Sequence, residues 1–191
     1  MPEFKISGAN DFARRLSELL DVYRRAFLEI YETDPARATR ERRALMRQHQ
    51  HRPDLRLVVA EKPSGTAVGF CYSYRSASGQ WWHDVVSRAL QTTEQAGWLD
   101  DCREVVELHV LPEWQGSGVG QQLLRSALAD VPERYAALSA LDLPDSRALR
   151  LYTGEGFAPL LSAFRFPGSS TRYVIFAKEL PSQEELPRAL S

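Results

Sequence analysis

The chain has 191 residues, 43% of them hydrophobic, which is enough to bury a core and suits one soluble domain. A formal net charge of −1 excludes nucleic-acid binding by bulk electrostatics, and no apolar run approaches the ~20 residues a membrane-spanning helix needs. The only two cysteines, Cys71 and Cys102, lack CxxC spacing, so neither a zinc site nor a disulfide framework is indicated. The charged residues of 1–23 leave no signal-peptide centre, so a cytoplasmic protein without metal is expected.

Glu3 to Ser7 alternates weakly and predicts a short strand. Phe12, Leu16, Leu19, Leu20, Tyr23, Phe27 and Ile30 recur at steps of three and four, predicting an amphipathic helix that Asn10 or Asp11 can cap. Pro35 opens a second helix to about Gln50. It carries Arg37, Arg40, Arg42, Arg43 and Arg47, a run that reads as a solvated face or as attraction for an acidic ligand. Leu55 to Glu61 and Thr66 to Tyr74 predict a hairpin around the turn at Lys62-Pro63-Ser64-Gly65.

Ser76 to Asp101 is long for a connection between sheet strands. Within it, Trp81 to about Gln95 predicts a helix. Trp81, Trp82 and Trp98 either hold an acceptor's aromatic or cationic group or pack the segment onto the body. Arg103 to Leu111 is β-branched and predicts a strand stopped by Pro112. A helix from Gly118 to about Ala129, a strand at Ala136 to Leu141 and a helix from Pro144 or Asp145 to Glu155 follow. Strands at Phe157 to Phe166 and Arg172 to Ala177 close the fold, and a polar tail begins at Pro181. Residues 1–180 therefore form one α/β domain, with 76–101 as an inserted segment that can cover the acceptor and 181–191 as the tail.

The segment from Leu108 to Gly120 carries the most chemistry. A buried strand ends, a turn follows, and a helix begins within Gly116, Gly118 and Gly120. The outward N–H groups of a helix start, its dipole and the missing Cβ atoms together make a phosphate cradle. Gln121 and Gln122 follow Gly120, so the Lys-Ser/Thr of a P-loop and the third glycine of a dinucleotide fingerprint are both missing.

Gln115-Gly116-Ser117-Gly118-Val119-Gly120 resembles the coenzyme A pyrophosphate loop of the GNAT acyltransferase superfamily. Asp145-Ser146-Arg147-Ala148-Leu149-Arg150-Leu151-Tyr152, followed by Gly156-Phe157, resembles that superfamily's second pattern. The resemblance is close over Arg103 to Phe157. It implies a mixed, mostly antiparallel sheet flanked by helices, with a splayed strand pair admitting the acyl-pantetheine arm.

By the same resemblance, main-chain groups of Leu108, His109 and Val110 pair with that arm, and a backbone N–H near Val110 polarises the thioester. Gln115 to Gln121 hold the pyrophosphate. Asp145 stands where the superfamily carries a cofactor-contacting asparagine; a carboxylate there repels phosphate, and a helix-capping role is the alternative. Tyr152 corresponds to the general acid, or else packs its helix on the sheet. Glu104 and Glu107 are candidate bases. His109, on the same strand, is a further candidate, although an exposed strand histidine more often serves as polar surface.

The implied activity is N-acetyl transfer from acetyl-CoA, as co-substrate, to a small-molecule or peptide amine by direct attack. No nucleic acid or membrane partner is expected, and the superfamily's habit admits a homodimer. A non-catalytic acyl-CoA sensor is the competing class.

Overall fold

A computed structural model describes residues 3–28 and 34–181. Ile30 and the tail beyond Pro181 lie outside them. The described residues fold as two compact units, 3–28 and 34–74 with 105–129, and 75–104 with 130–181.

The first unit begins with β1 (Lys5–Ala9), which pairs antiparallel with β2 (Arg56–Glu61); β2 pairs antiparallel with β3 (Ala67–Arg75). Between β1 and β2 run α1 (Phe12–Tyr23) and α2 (Pro35–His49). The expected apolar stripe of α1 is buried at Phe12, Leu16, Leu19, Leu20 and Tyr23. Asp11 is its N-cap residue, but its carboxylate turns to Arg14 and Arg15 instead of the helix amides.

After Tyr23 the chain widens into a π turn, Arg24–Leu28. A π turn inserts a residue into the helical ladder, and here it leaves the Tyr23 and Phe27 rings stacked at 5.7 Å. Asp34 caps α2 by accepting from the Arg37 amide at 3.0 Å, and Pro35 occupies the first turn, where no N–H is needed.

The second unit contains α3 (Trp81–Leu90), β5 (Tyr135–Leu141), α5 (Arg147–Gly154), β6 (Ala158–Phe164) and β7 (Tyr173–Glu179). Its core gathers Trp82, Val86, Leu90, Leu99, Cys102, Ala137, Phe166, Ile175 and Ala177. The inserted helix stops at Leu90, short of the expected Gln95, because the carbonyl of Leu90 is capped by both the amide and the hydroxyl of Thr93. Trp82 is buried there and its indole N–H donates to Ser139 Oγ at 3.3 Å; Trp98 lies 4.7 Å from Tyr135. These two tryptophans pack the segment. Trp81 alone of the three is largely exposed, at 59%.

β4 (Cys102–Val110) contributes residues to both units. Its first three residues, Cys102, Arg103 and Glu104, pair parallel with Tyr135, Ala136 and Ala137 of β5. β5 and β7, and β7 and β6, are antiparallel, and the seven strands follow the order β1-β2-β3-β4-β5-β7-β6. The result is the expected mixed, mostly antiparallel sheet, accompanied by helices. One buried ion pair anchors the second unit: Arg103 Nε donates to Glu133 Oε2 at 2.9 Å and Nη2 to Oε1 at 3.1 Å, with side chains 4% and 0% exposed.

Candidate active site

Beyond Val110 a 3₁₀ turn, Pro112–Trp114, leads to α4 (Val119–Leu128). Pro112 ends the strand and sets the turn, and the apolar positions Val119, Leu123, Leu124 and Ala127 bury the inner face of α4. One side chain ties the loop to β4 and another closes the loop on its own turn. Gln115 Nε2 donates to the Val110 carbonyl at 3.0 Å, and Ser117 Oγ donates to the Trp114 carbonyl at 2.6 Å.

Gly118 is the N-cap residue of α4, at φ +87°, and offers no side chain to the helix amides; Gly116 lies at φ +78°. A Cβ built at either glycine would meet nothing within 4 Å. An uncapped helix start thus faces open space, which an anion fits: the amides supply donors, the dipole favours negative charge, and the glycines let oxygen approach the backbone.

Glu107 and His109 project from the same face of β4, two residues apart. His109 Nε2 lies 2.5 Å from Glu107 Oε2, and the other carboxylate oxygen accepts from Arg42 Nη1 of α2. The Arg42 guanidinium also lies over the Tyr23 ring at 5.0 Å. Burial would push the Glu107 carboxyl up, but the charge of Arg42 and the bond from His109 hold it below the usual carboxylate range. Glu107 is therefore an ionised, fully engaged carboxylate. The arginine run of α2 is accordingly not wholly a solvated face, since Arg42 turns inward.

His109 is not polar surface, as an exposed strand histidine would be. Its ring is enclosed by Tyr23 at 4.9 Å, Phe27 at 5.7 Å and Phe70 at 5.6 Å, leaving 12% of the side chain open. No sequence signal finds this enclosure, because the rings come from α1, the π turn and β3.

Further along α2, buried His49 places Nδ1 3.0 Å from Tyr72 Oη and Nε2 3.4 Å from Tyr74 Oη. Burial, with Arg52 and Arg42, lowers its pKa to about 4 against the opposing pull of Glu107. A folded-state pKa below the unfolded one means the native protein binds fewer protons in between. Stability is therefore complete above the ordinary histidine value and falls as pH drops through it toward about 4. Thermal melts should show a lower midpoint at pH 5 than at pH 7.5, and His49→Gln should flatten that dependence.

In the second unit, Tyr152 is buried on α5, its ring 6.0 Å from both Phe157 and Phe176. Ser146, rather than Asp145, caps α5, accepting from the Leu149 amide at 3.4 Å. Asp145 precedes it at φ +54°, and its carbonyl accepts from Arg150 Nη1 at 2.8 Å. This corrects the capping alternative for Asp145: its left-handed backbone sets the turn, and the serine does the capping. Glu104 is buried on the opening of β4. Both cysteines are buried, and burial pushes both thiols up, making them inert as nucleophiles.

Comparison with known proteins agrees with this architecture. A GCN5-like protein acetyltransferase of Mycobacterium tuberculosis is 34% identical over 130 residues, 64% of this chain, and the match spans 63% of that relative's length. The paia N-acetyltransferase of Thermoplasma acidophilum, solved with coenzyme A, superposes with a TM-score of 0.63 at 17% identity, covering 92% of this chain and 99% of that one. The yncA protein of Salmonella typhimurium, solved with its cofactor acetyl-CoA, gives 0.64 at 16% identity, covering 98% and 99%. At those identities the likeness speaks for the fold. The acetyltransferase (GNAT) family pattern matches residues 16–157, from within α1 through the glycine loop and Tyr152, and the chain belongs to that family.

Proposed function

We propose that this chain transfers an acetyl group from acetyl-CoA to an amine by direct attack. The observation that carries the reading is the uncapped start of α4, where Gly116 and Gly118 leave the backbone open to an anion directly after β4. Acetyl-CoA supplies the thioester carbonyl and its thiolate leaving group.

Amides of 116–121 hold the pyrophosphate. Main-chain groups of Leu108, His109 and Val110 align the pantetheine arm, and the Val110 N–H stabilises charge developing on the thioester oxygen. Asp145 serves the cofactor from the turn before α5. Tyr152 protonates the departing sulfur. Glu104 and Glu107 are the carboxylates that β4 carries, and alternation along the strand puts Glu107 on the His109 face and Glu104 on the other. Two sealed thiols favour direct transfer over an acyl-cysteine relay and suit a reducing cytoplasm.

Calorimetry with acetyl-CoA, ATP and NAD tests the cofactor assignment. Selective acetyl-CoA binding is expected. Gly118→Val should weaken it about tenfold or more, because a β-branched residue at φ +87° strains the loop and fills the anion's approach. Equal binding of all three ligands, or none by folded protein, would sink the assignment. Tight binding with no turnover across a broad amine panel would favour a sensor.

A further inference from the structure

We infer that His109 receives the acceptor's proton through Nδ1, with Glu107 as its positioning residue and Arg42 as the clamp on Glu107; this rests on the acetyl-transfer reading above. The argument is one of donors and acceptors. An ionised carboxylate only accepts, so the 2.5 Å contact requires the proton to sit on His109 Nε2. A neutral imidazole with Nε2–H carries its lone pair on Nδ1. Among the described residues Nδ1 has no hydrogen-bond partner, and part of the side chain is open to solvent. A base needs this arrangement: one nitrogen fixed by a carboxylate, the other bare.

Glu107 is unsuited to the role itself. Arg42 and His109 engage both of its oxygens, and the carboxyl is held in its charged form. The aromatic enclosure completes the device, since Tyr23, Phe27 and Phe70 restrict ring rotation. The charged and titratable groups around the imidazole are Glu107 on its own strand, Tyr23 on α1 and, behind Glu107, Arg42 and His49 on α2. His109 also immediately precedes Val110, the residue assigned to the thioester, so one strand end holds base and acyl site together.

The step balances. The amine nitrogen forms the new C–N bond as the C–S bond breaks, the amine's proton passes to His109 Nδ1, and the sulfur takes a proton from Tyr152 Oη. Solvent then removes the proton from His109 and restores that of Tyr152.

The test uses ¹⁵N-labelled, ligand-free protein. Long-range ¹H–¹⁵N NMR reads the imidazole tautomers, and His109→Asn identifies the signals of His109. The expected result is an Nε2-protonated neutral ring, with the preference lost in Glu107→Gln; a ring protonated at Nδ1 overturns the inference. In turnover assays, His109→Ala should lose about 10²-fold or more in kcat at unchanged acetyl-CoA affinity, and added imidazole should restore part of it. Full activity in His109→Ala, or loss that imidazole leaves untouched, also overturns it. If wild-type protein fails to bind acetyl-CoA, the transfer reading falls, whereas the tautomer is still decided by the spectrum.

Discussion

Tyr152→Phe is expected to lower kcat by about 10²- to 10⁴-fold while leaving acetyl-CoA affinity and melting temperature nearly unchanged. The substitution is close to a pure test of one oxygen. The Tyr152 ring is buried against Phe157 and Phe176, and its carbonyl accepts from the Phe157 amide, so phenylalanine retains this packing. Only Oη is removed, and with it the proposed proton for the leaving sulfur. Single-turnover kinetics with saturating acetyl-CoA and a reactive amine would separate chemistry from binding. An unchanged rate would reduce Tyr152 to a packing residue of α5.

Glu133→Ala should cost about 4 kcal/mol, within the roughly 3–5 kcal/mol seen when one partner of a buried ion pair is removed. Arg103 would be left charged in a site where its side chain is 4% exposed, with both hydrogen bonds to the carboxylate gone. For a chain of this size each kcal/mol moves the melting midpoint by about 2–4 °C, so a drop near 10 °C is expected. Arg103→Met/Glu133→Leu should recover most of that loss, because apolar replacements remove the desolvation cost together with the attraction. If the single variant melts with wild type, the pair does not anchor the unit.

The stretch from β4 through the glycine loop was readable from local sequence because its signals are local. The β-branched run ending at Pro112 specifies β4, and the glycines that follow specify an open helix start; neither requires knowledge of distant residues. Helix ends were less legible. Thr93 caps the carbonyl of Leu90 through its hydroxyl, a contact that apolar periodicity does not report. At α5, Asp145 and Ser146 are adjacent residues of similar capping propensity, and only the left-handed backbone of Asp145 decides between them.

The cluster around His109 was the least visible. Arg42 lies 65 positions before its partner Glu107, within a run of arginines that look alike in sequence. The burial of His109 depends on a π turn that brings Phe27 beside Tyr23, and helical spacing alone predicts no such turn.

Gly69 extends the requirements of this group to a residue that performs no chemistry. A Cβ at position 69 would lie 2.9 Å from the His109 carbonyl oxygen, 3.1 Å from Leu123 Cδ1 and 3.2 Å from Val110 Cγ2. The first of these is backbone, so relief must come from moving β4 itself. Under neutral drift, then, position 69 is far more constrained than its silent role suggests. Even alanine there would displace the strand end carrying His109 and Val110 relative to α4. In a library selected for activity, glycine should persist at 69 while the apolar residues packed around it exchange, and escape from it should require a second, compensating change at Val110 or Leu123.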